Sequence, residues 1–505
     1  MTGHEQAAPV QEKFLTPGVM VMLALMAIGG AFALVRFGFG IGYVSNLNNQ
    51  FPWGIWVAVD VATGVALAAG GFTTGLIAYI FNRDQYHAVI RPALLTAMLG
   101  YTFVVLGLLV DIGRYWNITS PIFNHNANSV LFEVAMCVMI YLHVLYIEFI
   151  PVVIERFKGK VDLPGLLKAL NQPLEKAMAV AERILGKVMF IFIIMGVVLS
   201  CLHQSSLGAL MLIAPYKVHP LWYTPILPLL FLLSAFAAGY PMVAFESLLV
   251  AKSFDRKPEM EVLTPLARIM PVIMGLYLAV KIGDMVVRGT YVYLLDGTYQ
   301  TNSFLVELLA GALLPFILLL LPRVRRSPGW LFFASTLWVL GILMNRINVF
   351  LVSFTPPYKI TAYFPAVGEI FITVGLVATL MFLYRVCVFI FPVLGAQPKR
   401  MTVGALLLAL LILPAGQALA QAPAAKPLPG PAAFPSPGDA PKLIVMDSLI
   451  IKRLTDNYEP VRFMHRKHAG VLKDCTICHH RMPREKMDTY GKPVSMADLR
   501  ATKQK

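Results

Sequence analysis

Charge is scarce in this chain: Asp, Glu, Lys and Arg together make 14% of its 505 residues, against 58% hydrophobic residues. Globular domains carry about a quarter charged residues, so a soluble enzyme is excluded and an integral membrane protein is expected. Cysteine is scarce too. Of five, Cys137, Cys201 and Cys387 each stand alone inside apolar stretches, where a buried thiol is the default. That pattern excludes a disulfide framework, and it leaves no thiolate cluster for an iron–sulfur centre in this chain. Acidic residues are the minority charge, 27 against 42 basic, which gives a net charge of +15. The basic residues fall between hydrophobic stretches rather than in one patch, so they read as topology signals and not as a nucleic-acid surface.

Long apolar runs are what the sequence has in abundance. Stretches able to cross about 30 Å of hydrocarbon run from Pro17 to Tyr43, Pro52 to Phe81, Ile90 to Val110, Ser129 to Val153 and Val188 to Ile213. Others run from Leu221 to Val250, Leu263 to Val287, Ser303 to Leu321, Trp330 to Val352 and Val367 to Val393. The expected fold class is therefore all-α integral membrane, with about ten transmembrane helices in residues 1–395. Lys and Arg gather in alternate loops: Arg83 and Arg91, Arg156 through Lys187, Lys252 to Lys257, and Arg323 to Arg326. The intervening loops hold only Arg114, Lys217, Arg288 and Lys359. Basic loops are retained in the cytoplasm, which predicts a bacterial inner-membrane protein with both ends of the helical body on the cytoplasmic side. In the longest basic connection, Leu163, Leu166, Leu167, Leu170 and Leu174 are spaced for an interfacial helix.

Within residues 396–420 a shorter apolar segment, Thr402 to Leu413, follows Lys399 and Arg400 and leads into small residues, the anatomy of a secretory signal or an eleventh anchor helix. It would carry the rest of the chain into the periplasm: an Ala/Pro-rich linker at 421–441 and a small tail at 442–505. In that tail Cys475, Cys478 and His479 form a C-x-x-C-H motif, which offers two thioether-forming cysteines and an axial imidazole to a c-type haem. A zinc site would need further clustered ligands. Upstream, His465 or His468 can supply the sixth iron ligand, and one c-type haem is expected.

Ionisable groups at membrane depth are costly when unpaired, so their positions are informative. Arg36, Asp60, Glu133, Lys281, Asp284, Glu307, Arg346 and Glu369 all fall in the outer half of the expected spans, with His203 nearer the middle. Individually such charges can simply pair helix to helix; together they read as a polar cavity open to the periplasm. A quinone headgroup needs donors, acceptors and a proton-exchanging group, and Asp60, Glu133, His203 and Asp284 have that chemistry. On the inner half, His143 and Glu148 are candidates for a proton path to the cytoplasm. Haem b between helices needs intramembrane histidines at matched depth, and His143 and His203 are expected at different depths, so haem b is not expected.

Four motifs carry a resemblance. Trp53-Gly54-Ile55-Trp56 through Asp60 to Ala69-Gly70-Gly71-Phe72-Thr73, Arg91 to Thr96, Asn128 to Glu133, and Leu202-His203-Gln204-Ser205-Ser206-Leu207-Gly208 resemble the polysulfide reductase/NrfD membrane-subunit family, in its hydrogenase-2-like branch, over residues 15 to 395. The resemblance implies a ten-helix, haem-free subunit that exchanges electrons between menaquinone and a periplasmic iron–sulfur subunit. Its catalytic partner would be a nickel–iron hydrogenase or similar subunit, or a multihaem cytochrome c, and the primary catalytic centre would lie outside this chain. It also implies a quinone pocket near the periplasmic face, where Asp60, Glu133 and His203 sit in the matching motifs; Lys281, Asp284, Arg346 and Arg36 rest on depth. The tail resembles the start of a class III multihaem cytochrome c but has no second C-x-x-C-H, which leaves His468 and His480 without a haem of their own. A transporter and a purely structural membrane anchor are the alternatives from other classes; no inverted repeat supports the former.

Overall fold

The computed structural model describes residues 7–80, 86–356 and 362–395, together with the segments 449–451 and 461–463. It divides into two units, Met1–Gly416 and Gln417–Lys505. In the first unit ten helices are long and apolar enough to cross a membrane. They are α1 (Pro17–Phe39), α2 (Trp56–Ala78), α3 (Val89–Asp111), α4 (Val130–Phe157), α5 (Lys168–Leu212), α6 (Leu227–Ser253), α7 (Met260–Val287), α8 (Tyr299–Leu320), α9 (Pro328–Val352) and α10 (Val367–Ile390). In the second unit the described part is an antiparallel pair, Leu449–Ile451 with Val461–Phe463.

The ten expected spans are present, and local chemistry sets several of their ends. Thr16 caps α1 by accepting from the Val19 N–H, with Pro17 in the first turn where no donor is needed. Ser129 caps α4 in the same way through the Phe132 N–H. The chain differs from expectation at α5, where the interfacial helix and the fifth span form one continuous helix. At about 1.5 Å per residue it reaches roughly twice the hydrocarbon thickness, because the Ala-, Glu- and Lys-rich segment after Pro173 contains nothing that stops a helix. Glu175 ties the preceding loop to it by accepting from the Gly159 and Val161 N–H groups, and Glu182 pairs with Lys158.

Helices approach closely where glycine faces backbone, the usual device in a membrane where apolar contact alone gives no preference for protein over lipid. A Cβ on Gly29 of α1 would lie 2.7 Å from the Phe371 carbonyl and Gly375 Cα of α10. Gly311 and Gly341 bring α8 and α9 together, and Gly208 lets α5 meet the Leu227–Pro228 backbone. Four stretches, Trp56–Thr63, Leu76–Ile80, Glu307–Leu313 and Asn348–Val352, wind as π-helix. Such insertions are uncommon and concentrate at functional sites.

Candidate functional site

Alternation of the helices brings the end of α1, the start of α2 and so on to one end of the bundle, opposite the basic loops. Most of the expected polar residues are there, but they form separate groups.

The first group surrounds Glu307, which the π-turn at the start of the α8 core directs into the protein. Its side chain is 3% exposed and is fully engaged. One oxygen pairs with Lys281 and accepts from Asn345 Nδ2 at 2.7 Å. The other accepts from Trp222 Nε1 at 2.9 Å and Asn348 Nδ2 at 2.8 Å. Arg346, also buried, donates to Asn345 Oδ1 (2.8 Å) and Ser234 Oγ (2.7 Å) and lies 3.7 Å over the Phe231 ring, while its Nε has no acceptor. Asp284 accepts from Thr224 Oγ1 at 2.8 Å and pairs with Arg288 at 2.9 Å. The space enclosed among Trp222, Tyr277, Lys281, Phe304 and Arg346 is about 20 Å³, room for a single water.

The second group lies among α1, α2, α3 and α10. Asp60 Oδ2 accepts from Thr373 Oγ1 at 2.7 Å. Arg36 closes the end of α3 by donating to the Val110 and Ile112 carbonyls at 2.7 and 2.6 Å. Glu369 accepts from the Asn46 N–H at 2.8 Å and from the Tyr363 hydroxyl. Burial and that carboxylate push the Tyr363 phenol above its ordinary range. Asp111 sits near Glu369, Arg36 and Asp60 with one buried oxygen unpartnered. The two groups are linked by aromatic rings: Trp53 packs edge-on to Phe350 (6.4 Å), which packs against Phe231 (6.3 Å).

Two expected members stand apart. Glu133 is exposed on the outside of α4. His203 is fully buried in α5 with Nδ1 3.2 Å from the Tyr101 hydroxyl and Nε2 without a partner. On the basic side, His143 faces outward and bonds its own helix at the Met139 carbonyl (2.7 Å). Glu148 instead faces a cavity of about 240 Å³ bounded by Phe72, Leu94, Tyr141, Met189 and Ile193. Reasoning from charge missed the neutral donors Trp222, Asn345, Asn348 and Ser234, and Asp111 at the very end of its span. Asn and Trp in apolar stretches were the available signal. Cys475, Cys478, His465 and His479 lie outside the described residues.

The family model for polysulphide reductase NrfD matches residues 43–356. A protein of Nitratidesulfovibrio vulgaris (strain Hildenborough) is 38% identical over 404 residues, spanning 78% of this chain and 98% of that one. The "Probable Ni/Fe-hydrogenase 2 b-type cytochrome subunit" of Escherichia coli K12 is 35% identical over 393 residues, 76% of this chain and 94% of its own. The "Menaquinone reductase, integral membrane subunit" of N. vulgaris is 28% identical over 347 residues, 63% of this chain and 78% of its own. The second of these corrects the cofactor assignment. The sequence led to one c-type haem with haem b excluded, whereas that relative's name carries haem b rather than a c-type haem, so the assignment does not stand.

Proposed function

This chain belongs to the polysulphide reductase NrfD family, and on that footing we propose that it is the membrane subunit of a quinone-linked oxidoreductase complex. It exchanges electrons between menaquinone and redox subunits on the face opposite the basic loops, with the primary catalytic centre in a partner such as a nickel–iron hydrogenase. The charge of the basic loops supports a periplasmic setting for that face. The names of two relatives, a hydrogenase 2 subunit and a menaquinone reductase subunit, support the pairing of partner and quinone.

The observation that carries the reading is an unfilled donor beside a saturated acceptor. Glu307 holds Lys281 and two asparagines in fixed positions, yet Arg346 Nε is buried with nothing to donate to. A quinone presents two carbonyl acceptors and, when reduced, carries two electrons and two protons. Arg346 and Lys281 would orient one carbonyl, the Trp222, Phe231 and Phe304 rings would exclude water, and Asp60 would exchange a proton near the other. Because the enclosed space now fits one water, Trp222 or Phe304 must swing aside to admit a ring. The same residues serve either direction of electron flow.

A haem b held by two histidines needs facing imidazoles. His203 is buried and His143 faces outward, so these two imidazoles do not face each other.

The test is quinone-analogue-linked turnover of the intact complex carrying Arg346→Lys or Asp60→Asn. Each is expected to lower turnover at least tenfold with the complex still assembled. Unchanged turnover in both would leave the chain as a structural anchor.

A further inference from the structure

Resting on the quinone reading above, we propose that the cavity at the basic end is a proton-uptake chamber, in which Glu148 loads protons and Tyr141, Ser200 and Tyr101 connect it to His203.

The chamber lies between the end of α2, the start of α3, the second half of α4 and the middle of α5. Its volume of about 240 Å³ accommodates about eight waters at roughly 30 Å³ each. Most of its wall is apolar. Among the described residues, the groups in it that can titrate or carry charge are Glu148, Tyr141, Arg91 and Glu155. The last two form a two-pronged ion pair, 2.7 and 3.2 Å, that is 34% and 47% exposed and so stands at the solvent side. Glu148 is different, because its carboxylate makes no hydrogen bond to a described residue although it is largely enclosed. Space is kept for it: a Cβ on Gly196 of α5 would come within 2.6 Å of Glu148 Oε1. An unpaired carboxylate at membrane depth is expensive and marks an ion or proton path rather than helix docking.

The polar file continues away from the chamber toward the opposite end. Tyr141 lies two turns before Glu148 on the same face of α4 and also lines the chamber. Its ring meets that of Tyr101 edge-on at 4.4 Å, and the buried Ser200 hydroxyl lies beside both phenols without a well-formed bond to either. Tyr101 Oη is 3.2 Å from His203 Nδ1, and Nε2 is free to pass a proton on. The transfer is balanced at each group. A proton from chamber water binds Glu148, each hydroxyl takes one and gives one, and a proton arriving at Nδ1 is matched by one leaving Nε2. Two such passages accompany the two electrons of each quinone reduction. His143, which faces outward, takes no part.

The test uses the whole complex in liposomes oriented with the basic end toward a lumen holding a pH-sensitive dye, with turnover started by a quinone analogue. Glu148→Gln is expected to reduce lumenal proton uptake per electron at least tenfold while quinone-analogue binding is retained, and Glu148→Asp to restore most of it. Tyr101→Phe, which keeps the ring packing and removes one oxygen, should act in the same direction even if the Glu148 variant assembles poorly. Wild type without quinone-linked turnover overturns the underlying reading and this proposal with it. Wild-type turnover with uptake unaffected by Glu148→Gln and Tyr101→Phe overturns the chamber alone, as a space filled by lipid tails would.

Discussion

Replacing Lys281 by methionine removes the cation from the most enclosed ion pair in the described structure. The two side chains are 10% and 3% exposed, so solvent cannot take over for either partner. In Lys281→Met, Glu307 keeps Trp222, Asn345 and Asn348 as donors, at 2.7 to 2.9 Å, but its charge is left uncompensated. Breaking one side of a buried pair costs about 3–5 kcal/mol. Glu307→Gln costs a similar amount for the mirror reason, since it strands the Lys281 ammonium against Tyr277. With both changes neither member of the pair carries a charge, and the residual mismatch is an amide nitrogen facing other donors, about 1–3 kcal/mol. The double variant should therefore be no less stable than either single one, with a coupling of at least about 3 kcal/mol. Unfolding of the purified chain in mixed micelles, followed by tryptophan fluorescence with Trp222 inside the network, reads this cycle. Additive single effects, or a single effect below about 1 kcal/mol, would refute the reasoning.

Three further outcomes follow from geometry elsewhere. Gly341→Ala drives a methyl into the Gly311 backbone, which should cost about 1–3 kcal/mol; Gly30→Ala, with open space around it, should lose nothing in the same detergent melt. Arg36→Met leaves the Val110 and Ile112 carbonyls without their donor, a loss of about 1–3 kcal/mol that Arg36→Lys should recover only in part because one ammonium does not span both. His219, packed between Trp222 and Tyr293 in the loop before α6, accepts from the Leu221 N–H at Nδ1 (3.3 Å), and burial lowers its pKa although Asp296 opposes the shift. A lowered folded-state value means that its contribution is present above the ordinary histidine pKa of about 6.5 and fades as pH falls below it. His219→Gln should flatten that part of the stability profile, and an unchanged profile would count against it.

The ten helices were legible because each needs about 20 apolar residues, a signal that survives any detail of packing. Their ends were less so. Hydropathy placed the start of the fifth span at Val188, but a helix does not stop where hydrocarbon does, and α5 begins at Lys168. For the site, alternation of the spans correctly assigned most of the charged residues to one end. It could not assign them to neighbours: Glu133 and Glu369 are each in the first turn of a helix, yet Glu133 is exposed and Glu369 buried. A scan for charge also passes over neutral amides, and the Glu307 network depends on Asn345 and Asn348 as much as on Lys281.

The π-turns explain why even a helical wheel would not have grouped these side chains. Asp60 lies within one, Glu307 begins another and Asn348 begins a third. Each inserts an extra residue per turn, changing the direction of every side chain beyond it and loosening the local backbone ladder. In hydrocarbon a freed carbonyl must find another donor, and threonine and serine supply it: Thr63 Oγ1 donates to the Ala58 carbonyl at 2.8 Å, and Ser353 Oγ to the Val349 carbonyl at 2.7 Å. Helix docking alone needs none of this, since the glycine contacts at Gly29 and Gly208 bring regular helices together. Three distortions lie at one end of the bundle, each bringing a polar group into the protein, and a hydroxyl bonds the backbone at two of them, which supports the site proposed above.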